Sequence, residues 1–180
     1  MKRAYLIVIL SVFVNLISAQ NLTKKVVLDG QVEIMIPSSF AKMNDAMITQ
    51  YYELADKPKE AWSNNGGSTN IAFKINPVNV SQISLDDYLK LLKDNFDKGY
   101  PKTKDSKGIT WKKSMISTIN GHQFIHLEMI TPNLTDSIYN NMLLGKLHGQ
   151  LLIITYSCLE KDIDANIEIA QKVISSIKLL

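Results

Sequence analysis

The sequence predicts a single α+β domain whose antiparallel sheet of about six or seven strands is covered by helices. Strand-like segments flank Asn120-Gly121, a dipeptide typical of two-residue hairpin turns. Two segments, 84–96 and 162–176, instead repeat apolar residues at steps of three and four, which is typical of amphipathic helices. No internal repeat or linker divides the chain, and its length suits one domain.

The N-terminus has the three parts of a secretory signal peptide. Two basic residues precede the apolar run Ala4–Val14, and Ala19 is a small residue suited to cleavage. The run is shorter than the ~20 apolar residues of a membrane-spanning helix, so we expect no stable membrane anchor. We therefore expect a signal peptide at 1–19, a domain at 20–180, and an exported protein that is periplasmic or secreted.

Charge and cysteine content narrow the class of partner. Loss of Lys2 and Arg3 with the signal peptide lowers the formal net charge from +3 to +1. This near-neutral balance argues against a nucleic-acid partner and against a polybasic membrane patch. The single cysteine, Cys158, cannot form an internal disulfide, and its position at the end of an apolar run predicts a buried, inert thiol.

The sequence pattern of the first half predicts four strands, two of them in a hairpin, and one helix. Asp29-Gly30 favours a type I′ turn, Tyr51 and Tyr52 favour a strand, and Pro58 with Asn64-Asn65-Gly66-Gly67 favours a loop. The helix has Ser84 and Asp87 spaced as in a capping box. The predicted elements are the hairpin strands Lys24–Leu28 and Gln31–Ile36, a strand Met47–Ala55, a loop Asp56–Ser68, a strand Thr69–Ile75 ending before Pro77, and a helix Ser84–Phe96 closed by Gly99 and Pro101.

The second half predicts two hairpins and a closing helix. A two-residue turn at Asn120-Gly121 predicts the cross-strand pairs Ile119–His122, Ser117–Phe124, Met115–His126 and Lys113–Glu128. The second hairpin turns at His148-Gly149. Its strands are Ile138–Leu147 and Gln150–Ser157, and the closing helix runs from Asp162 to Ser176 with a core-facing stripe of Ile163, Ile167, Ala170, Ile174 and Ile177.

Several segments, in this order, resemble the PsbP-like α/β sandwich superfamily and, within it, the DcrB-like bacterial envelope proteins. They are the opening Val32-Glu-Ile-Met-Ile-Pro37-Ser-Ser-Phe40, the strand Asn70–Ile75, the helix begun by Ser84-Leu85, the strand Gly121-His-Gln-Phe124 and the closing Val173–Lys178. The resemblance spans nearly all of the chain after residue 19. It implies an antiparallel sheet between helices, and it implies binding rather than catalysis, with no cofactor.

The resemblance implies no catalytic motif, and this chain departs from DcrB-like proteins at one position. Those relatives are often lipoproteins, whereas Ala19-Gln20-Asn21 contains no cysteine that a lipid could acylate.

One His/Glu set and one aromatic set are candidate site residues. His122, His126 and Glu128 share a face of a predicted strand, but His122 and His126 lie about 13 Å apart there, too far to share a metal. His126 and Glu128, about 6.6 Å apart, form a metal site only with a third ligand from a neighbouring strand. An ion pair between Lys113 and Glu128 is the simpler alternative.

The aromatic set is Tyr51, Tyr52 and Trp62, which flank the glycine-containing loop. Its structural interpretation is core and edge packing, and its functional interpretation is a rim that binds a ligand or partner.

We therefore expect an exported, non-catalytic binding or accessory protein of the bacterial envelope, with an unknown protein or a small apolar molecule as partner. Two alternatives stay open: a metal-dependent enzyme centred on His126 and Glu128, and an accessory in envelope stress or protein folding.

Overall fold

The computed structural model describes residues 21–80, 82, 84–104, 106–133 and 135–180. The predicted signal peptide at 1–19 lies outside these residues. The strands are β1 (Leu22–Val27), β2 (Val32–Pro37), β3 (Ala41–Lys42), β4 (Glu60–Ser63), β5 (Asn70–Asn79), β6 (Thr110–Ile119), β7 (His122–Thr131), β8 (Ile138–Leu147), β9 (Gln150–Leu159) and β10 (Lys178–Leu179). The helices are α1 (Asp45–Tyr51), α2 (Leu85–Gly99) and α3 (Ile163–Ser175), with 3-10 helices at Leu54–Asp56 and Glu160–Asp162.

The strands form two sheets in which each pair is antiparallel. Seven strands make the main sheet in the order β3-β4-β5-β9-β8-β7-β6, and β2 lies between β1 and β10 in a three-stranded sheet. The α+β class and the antiparallel main sheet are confirmed. The separate three-stranded sheet is an addition that the sequence pattern did not indicate.

Both faces of the main sheet are covered. On one face, Phe124 of β7 and Ile154 of β9 share a core with Ile34 of the small sheet and Val173 of α3. On the other face, Ile125 and its neighbours share a second core with the apolar side of α2. Since consecutive side chains of a strand point to opposite faces, β7 is buried along most of its length instead of alternating between core and solvent.

The two long hairpins confirm the predicted turns and register. Ile119 pairs with His122, Ser117 with Phe124, Met115 with His126 and Lys113 with Glu128. In the two turns, Asn120 and His148 adopt φ values of 48° and 50°, and each is followed by a glycine with positive φ. This conformation is the one that a type I′ turn requires, and it explains why these dipeptides indicate the hairpins.

The first hairpin is confirmed but its predicted two-residue turn is wrong. Val27 pairs with Val32, so residues 28–31 form a four-residue connection. Leu28, Asp29 and Gly30 all have positive φ. Leu28 is nevertheless buried, and its backbone N–H donates to Oε2 of Glu60 at 3.0 Å. The burial of Leu28 and the partner of its N–H account for a leucine in a conformation that usually favours glycine.

Two predictions for residues 47–68 are wrong. Met47–Ala55 was expected to be a strand, but Asp45–Tyr51 is helical, because Oδ1 of Asn44 accepts the N–H of Met47 at 2.9 Å and caps the helix. The expected loop Asp56–Ser68 contains β4, whose four residues pair with β5. A strand this short carries too little alternation to be recognised from sequence.

The strand expected to end before Pro77 instead continues through it. The register of β5 against β9 shifts between Asn76 and Asn79, and β4 pairs only with residues 70–73. Pro77 therefore lies at an irregularity beyond the end of the neighbouring strand, where its missing N–H costs no ladder hydrogen bond.

The two long helices lie close to their predicted limits. Ser84 is the N-cap residue of α2, but its side chain makes no capping hydrogen bond, so the predicted capping box does not form. In α3, Ala170 and Ile174 are fully buried as the stripe predicted, and Asn166 and Val173 are buried beside them. Within the described residues, we find no helix long and apolar enough to cross a membrane.

Candidate functional site

A groove of about 700 Å³ lies between α3 and the β6–β7 end of the main sheet. Side chains from three elements line it. The strands contribute Lys113, Ser117 and His126, and α3 contributes Glu168, Gln171 and Lys172. The groove exists because α3 packs mainly against β2, β8 and β9 and leaves the outer strands of the same face partly open. It is a recess beside the core in which charged and polar side chains stand next to Ile119 and Ile174.

A chain of hydrogen-bonded polar side chains runs beneath this groove across β6, β7 and β8. Nε2 of His126 lies 2.8 Å from Oδ1 of Asn141, and Nδ1 lies 3.4 Å from Oγ of Ser117. Beyond Asn141, its Nδ2 donates to the Tyr139 hydroxyl at 3.5 Å, and that hydroxyl donates to Oε1 of Glu128 at 2.8 Å. Because Oδ1 of Asn141 is an acceptor, Nε2 of His126 carries the proton and Nδ1 accepts from Ser117.

Burial sets the protonation states of the hydrogen-bonded side chains below the groove. Desolvation lowers the pKa of His126, and the nearby Lys113 lowers it further, against opposing effects of Asn141 and Glu128. The imidazole is therefore neutral at neutral pH. Burial, together with the carboxylate of Glu128, raises the pKa of Tyr139, so its hydroxyl stays protonated and remains a donor.

The structure places His126 and Glu128 together on one face, as predicted, but gives both of them other partners. His126 is bonded through both ring nitrogens, and Glu128 accepts from Tyr139 rather than forming the expected pair with Lys113. His122 is exposed at the start of β7. Across the described ranges, no group of three or more His, Cys, Asp or Glu side chains is arranged to hold a metal ion.

The structure does not bring Tyr51, Tyr52 and Trp62 into one rim. Tyr52 packs with Ala61 in a small cluster beside α1, and its hydroxyl donates to Oδ1 of Asn70 at 2.9 Å. Burial raises its pKa to about 12. Trp62 packs on the opposite face of β4 against the main core, whereas Tyr51 is exposed on α1.

The polar surroundings of Trp62 fix its ring in place. Nε1 of Trp62 donates to Oε1 of Glu60 at 2.9 Å, and the Lys25 ammonium lies 5.4 Å from the ring centroid. The Glu60 carboxylate also pairs with Lys42 at 3.3 Å. These contacts join β4 to the first hairpin and give Trp62 a structural role.

Cys158 lies in the main core at 1% exposure. Burial raises the pKa of its thiol to about 11, and Asp162 adds to the effect. At neutral pH the group is a protonated thiol without access to solvent, which is the environment of an inert cysteine.

Sequence reasoning missed three members of the polar chain, Ser117, Tyr139 and Asn141. Asn141 was the available signal, because it is a polar residue next to the apolar run Met142–Leu144 in the predicted strand. Ser117 and His126 were assigned to the correct strands, but their contact depends on side-chain directions that the register alone does not fix.

Comparison with solved structures identifies the fold. Cyanobacterial PsbP from Synechocystis superposes with a TM-score of 0.60 at 11% identity, covering 89% of this chain and 94% of its own. LpqN of Mycobacterium tuberculosis, described as involved in cell envelope biogenesis, gives a TM-score of 0.54 at 8% identity and covers 91% of this chain and 94% of its own. A Pseudomonas aeruginosa protein of unknown function, a putative regulator, gives 0.50 at 14% identity and covers 86% of this chain and 94% of its own.

The chain has a PsbP-like fold: an antiparallel sheet between helices, elaborated here by the small sheet. No family model and no curated protein sequence matches it. The finer similarity to DcrB-like proteins stays a prediction, with which the fold is compatible. Because a fold of this kind hosts different functions, the function has to be argued from the groove and the side chains around it.

Proposed function

We propose that this protein is an exported, non-catalytic accessory protein of the bacterial envelope that binds a small polar ligand in the α3 groove. The structural neighbours support the general class, since one is an envelope protein and another is a PsbP protein. Export is proposed from the N-terminal sequence pattern. Lys113, Gln171 and Lys172 in the groove favour a ligand that carries polar groups, and Ile119 and Ile174 beside them can contact its carbon atoms.

The observation that carries the proposal is the buried polar chain below the groove. His126, Glu128 and Asn141 are each less than a tenth exposed, on the sheet face that also carries the main core. Buried polar networks give a fold no general advantage over well-packed apolar side chains, so their presence beside an open recess indicates a role in recognition. Held in place by hydrogen bonds at both ring nitrogens, His126 forms a fixed part of the groove wall beside Lys113 and Ser117.

The same contacts favour binding over catalysis. The ring nitrogens of His126 are both engaged, and Nδ1 is a long 3.4 Å from Ser117, whose hydroxyl it would have to deprotonate. The thiol of Cys158 is buried and protonated. Glu128 is held by Tyr139. The side chains of His126 and Glu128 are thus engaged in hydrogen bonds, and the Cys158 thiol is out of reach of a substrate.

The export part of the proposal is tested by expressing the full chain and measuring the intact mass of the protein recovered from the envelope and medium fractions. We expect a product that begins near residue 20. Recovery of the uncleaved chain from the cytoplasm alone would contradict export, whatever the result for the ligand.

The ligand part is tested by thermal shift against defined small polar compounds: acetate, succinate, citrate and inorganic phosphate. We expect at least one to stabilise the protein, because binding to the folded state alone raises its stability. The stabilisation should be lost in Lys113→Met and Ser117→Val, which alter the groove. It should persist in Lys112→Met, a change at the exposed neighbouring lysine that does not line the groove. Equal loss in all three variants would contradict the assignment of the groove.

A further inference from the structure

Positive charge is concentrated in one short segment of the chain. The net charge of residues 20–180 is close to zero, which argued against a polybasic membrane patch. That net value conceals how the charges are distributed along the chain. Residues 98–113 contain six lysines and one aspartate, a formal charge of +5, so the rest of the predicted mature chain is acidic overall. An uneven distribution of this kind is an electrostatic feature in its own right.

The loop between α2 and β6, residues 100–109, folds back on itself and carries three of these six lysines. The N–H of Thr103 donates to the carbonyl oxygen of Ser106 at 2.9 Å, and the N–H of Gly108 donates to Oγ of Ser106 at 3.2 Å. Gly108 has a φ of 66°, and a Cβ there would lie 3.0 Å from the carbonyl oxygen of Tyr100. The two arms of the loop therefore pack directly on each other.

The lysines of this folded loop share one surface. Lys102, Lys104 and Lys107 are exposed and line a common groove of about 810 Å³, and Lys98 is exposed in the last turn of α2 just before the loop. Among the ion pairs of the described residues, none involves these four lysines. We call these four residues the basic loop surface.

Three acids, Asp97, Asp105 and Glu160, lie near this surface and reduce its positive charge, but they are fewer than its four lysines. Asp97 accepts Nε1 of Trp111 at 2.9 Å, and Glu160 lines a separate groove beside Lys107. Asp105 lies within the loop, outside the described residues, and is included in the charge of +5. Trp111 packs edge-on against Phe96 with ring centroids 6.0 Å apart, which ties the base of the loop to α2.

We infer that the basic loop surface binds the face of an anionic lipid membrane peripherally. Exposed lysines on one loop suit diffuse negative charge, and exposed Tyr100 beside them is a residue type that favours the membrane interface. A protein partner is the weaker choice, because lysine is depleted in protein–protein interfaces, whose cores are aromatic- and arginine-rich. Each lysine near an anionic surface strengthens binding by about five-fold.

The test is sedimentation with vesicles of phosphatidylglycerol and phosphatidylcholine, against vesicles of phosphatidylcholine alone. Each protein is used as recovered from full-chain expression, with its N-terminus defined by mass, because a retained leader would bind both vesicle types. The test variant is Lys102→Glu/Lys104→Glu/Lys107→Glu. The matched control, Lys57→Glu/Lys161→Glu/Lys178→Glu, makes the same change in net charge at exposed positions elsewhere. Circular dichroism verifies that both variants fold.

We expect the wild type to bind the anionic vesicles at low salt and to dissociate at high salt. The loop variant should bind at least about 100-fold more weakly, from the loss of three lysine contributions, and the control should stay within a few-fold of wild type. Equal weakening in both variants, or equal binding to both vesicle types, would overturn the inference. Competition by free inorganic phosphate would assign the loop a discrete phosphate site instead, and binding to polyglutamate without vesicle binding would indicate an acidic protein partner.

Discussion

Gly145 in β8 has no room for a side chain. It lies opposite Phe124 of β7, and a Cβ built on it would be 2.4 Å from Cδ1 and 2.6 Å from Cε1 of that ring. Ordinary carbon–carbon contacts are about 3.5–4.0 Å. Gly145→Ala therefore requires the ring or the strands to move by about 1 Å, and Phe124 is only 1% exposed within the main core.

The expected cost follows from this geometry. Overpacking a well-filled core destabilises by about 1–3 kcal/mol. The alanine recovers about 0.4–1 kcal/mol by reducing the freedom of the unfolded chain. We expect a net loss of about 1.3 kcal/mol from the free energy of unfolding, which for a protein of this size lowers Tm by about 3–5 °C. Urea unfolding followed by tryptophan fluorescence measures the loss directly.

Two further variants make this prediction specific to the contact. Gly99→Ala at the end of α2 is the control, because a Cβ there meets nothing within 4 Å, and it should raise stability by about 0.4–1 kcal/mol through its effect on the unfolded chain alone. As a single variant, Phe124→Leu leaves a cavity and lowers the free energy of unfolding. Combined with Gly145→Ala, it should show a favourable coupling of about 1 kcal/mol or more. Additive behaviour, or a Gly145→Ala protein as stable as wild type, would refute the steric argument.

Two more predictions follow from burial. Because the pKa of His126 is lowered on folding, the unfolded chain binds more protons as the pH falls below about 6.5, so stability falls there. In His126→Gln, unfolding in urea at about pH 7.5 and pH 5.5 should show a smaller loss than in wild type. The variant His122→Gln, at an exposed position, serves as control. A loss of stability between these pH values as large in His126→Gln as in wild type would contradict the assignment of the effect to His126. Cys158 should react with iodoacetamide at about pH 8 at least 100-fold more slowly in the folded protein than in urea. Comparable rates in the two conditions would show that the thiol is accessible.

The parts of the fold that were predictable from sequence are those specified by local chemistry. Asn120-Gly121 demands positive φ at two successive residues, and this alone places β6, β7 and their register. The helix at 45–51 was missed because the tyrosines that favour a strand lie at its end and just after it, whereas the cap at Asn44 starts the helix. The small sheet was missed because β10, with two residues, joins β2 from the far end of the chain.

The candidate site was less predictable, for a physical reason. A hydrogen bond needs atoms placed within a few tenths of an ångström, whereas a periodic pattern assigns only strand and face. The pattern placed His126 and Glu128 on one face correctly. It could not reveal that Asn141 and Tyr139 of the next strand would form hydrogen bonds with His126 and Glu128. Those bonds depend on the strand order β8-β7-β6 and on side-chain directions.

The two proposed surfaces share strand β6 but depend on different physical interactions. The groove uses Lys113 and Ser117 in the middle of the strand, and the basic loop surface precedes the strand. Reversing charge at Lys102, Lys104 and Lys107 leaves the groove lining intact, so loss of vesicle binding with retained thermal stabilisation would separate the two functions. Loss of both would mean that β6 itself is disturbed, and a changed circular dichroism spectrum would reveal this. Charges in the partly enclosed groove are screened less by salt than those on the exposed loop, so we expect vesicle binding to weaken more steeply than ligand binding as salt rises. A salt titration of each binding event is therefore an independent check on which surface is responsible.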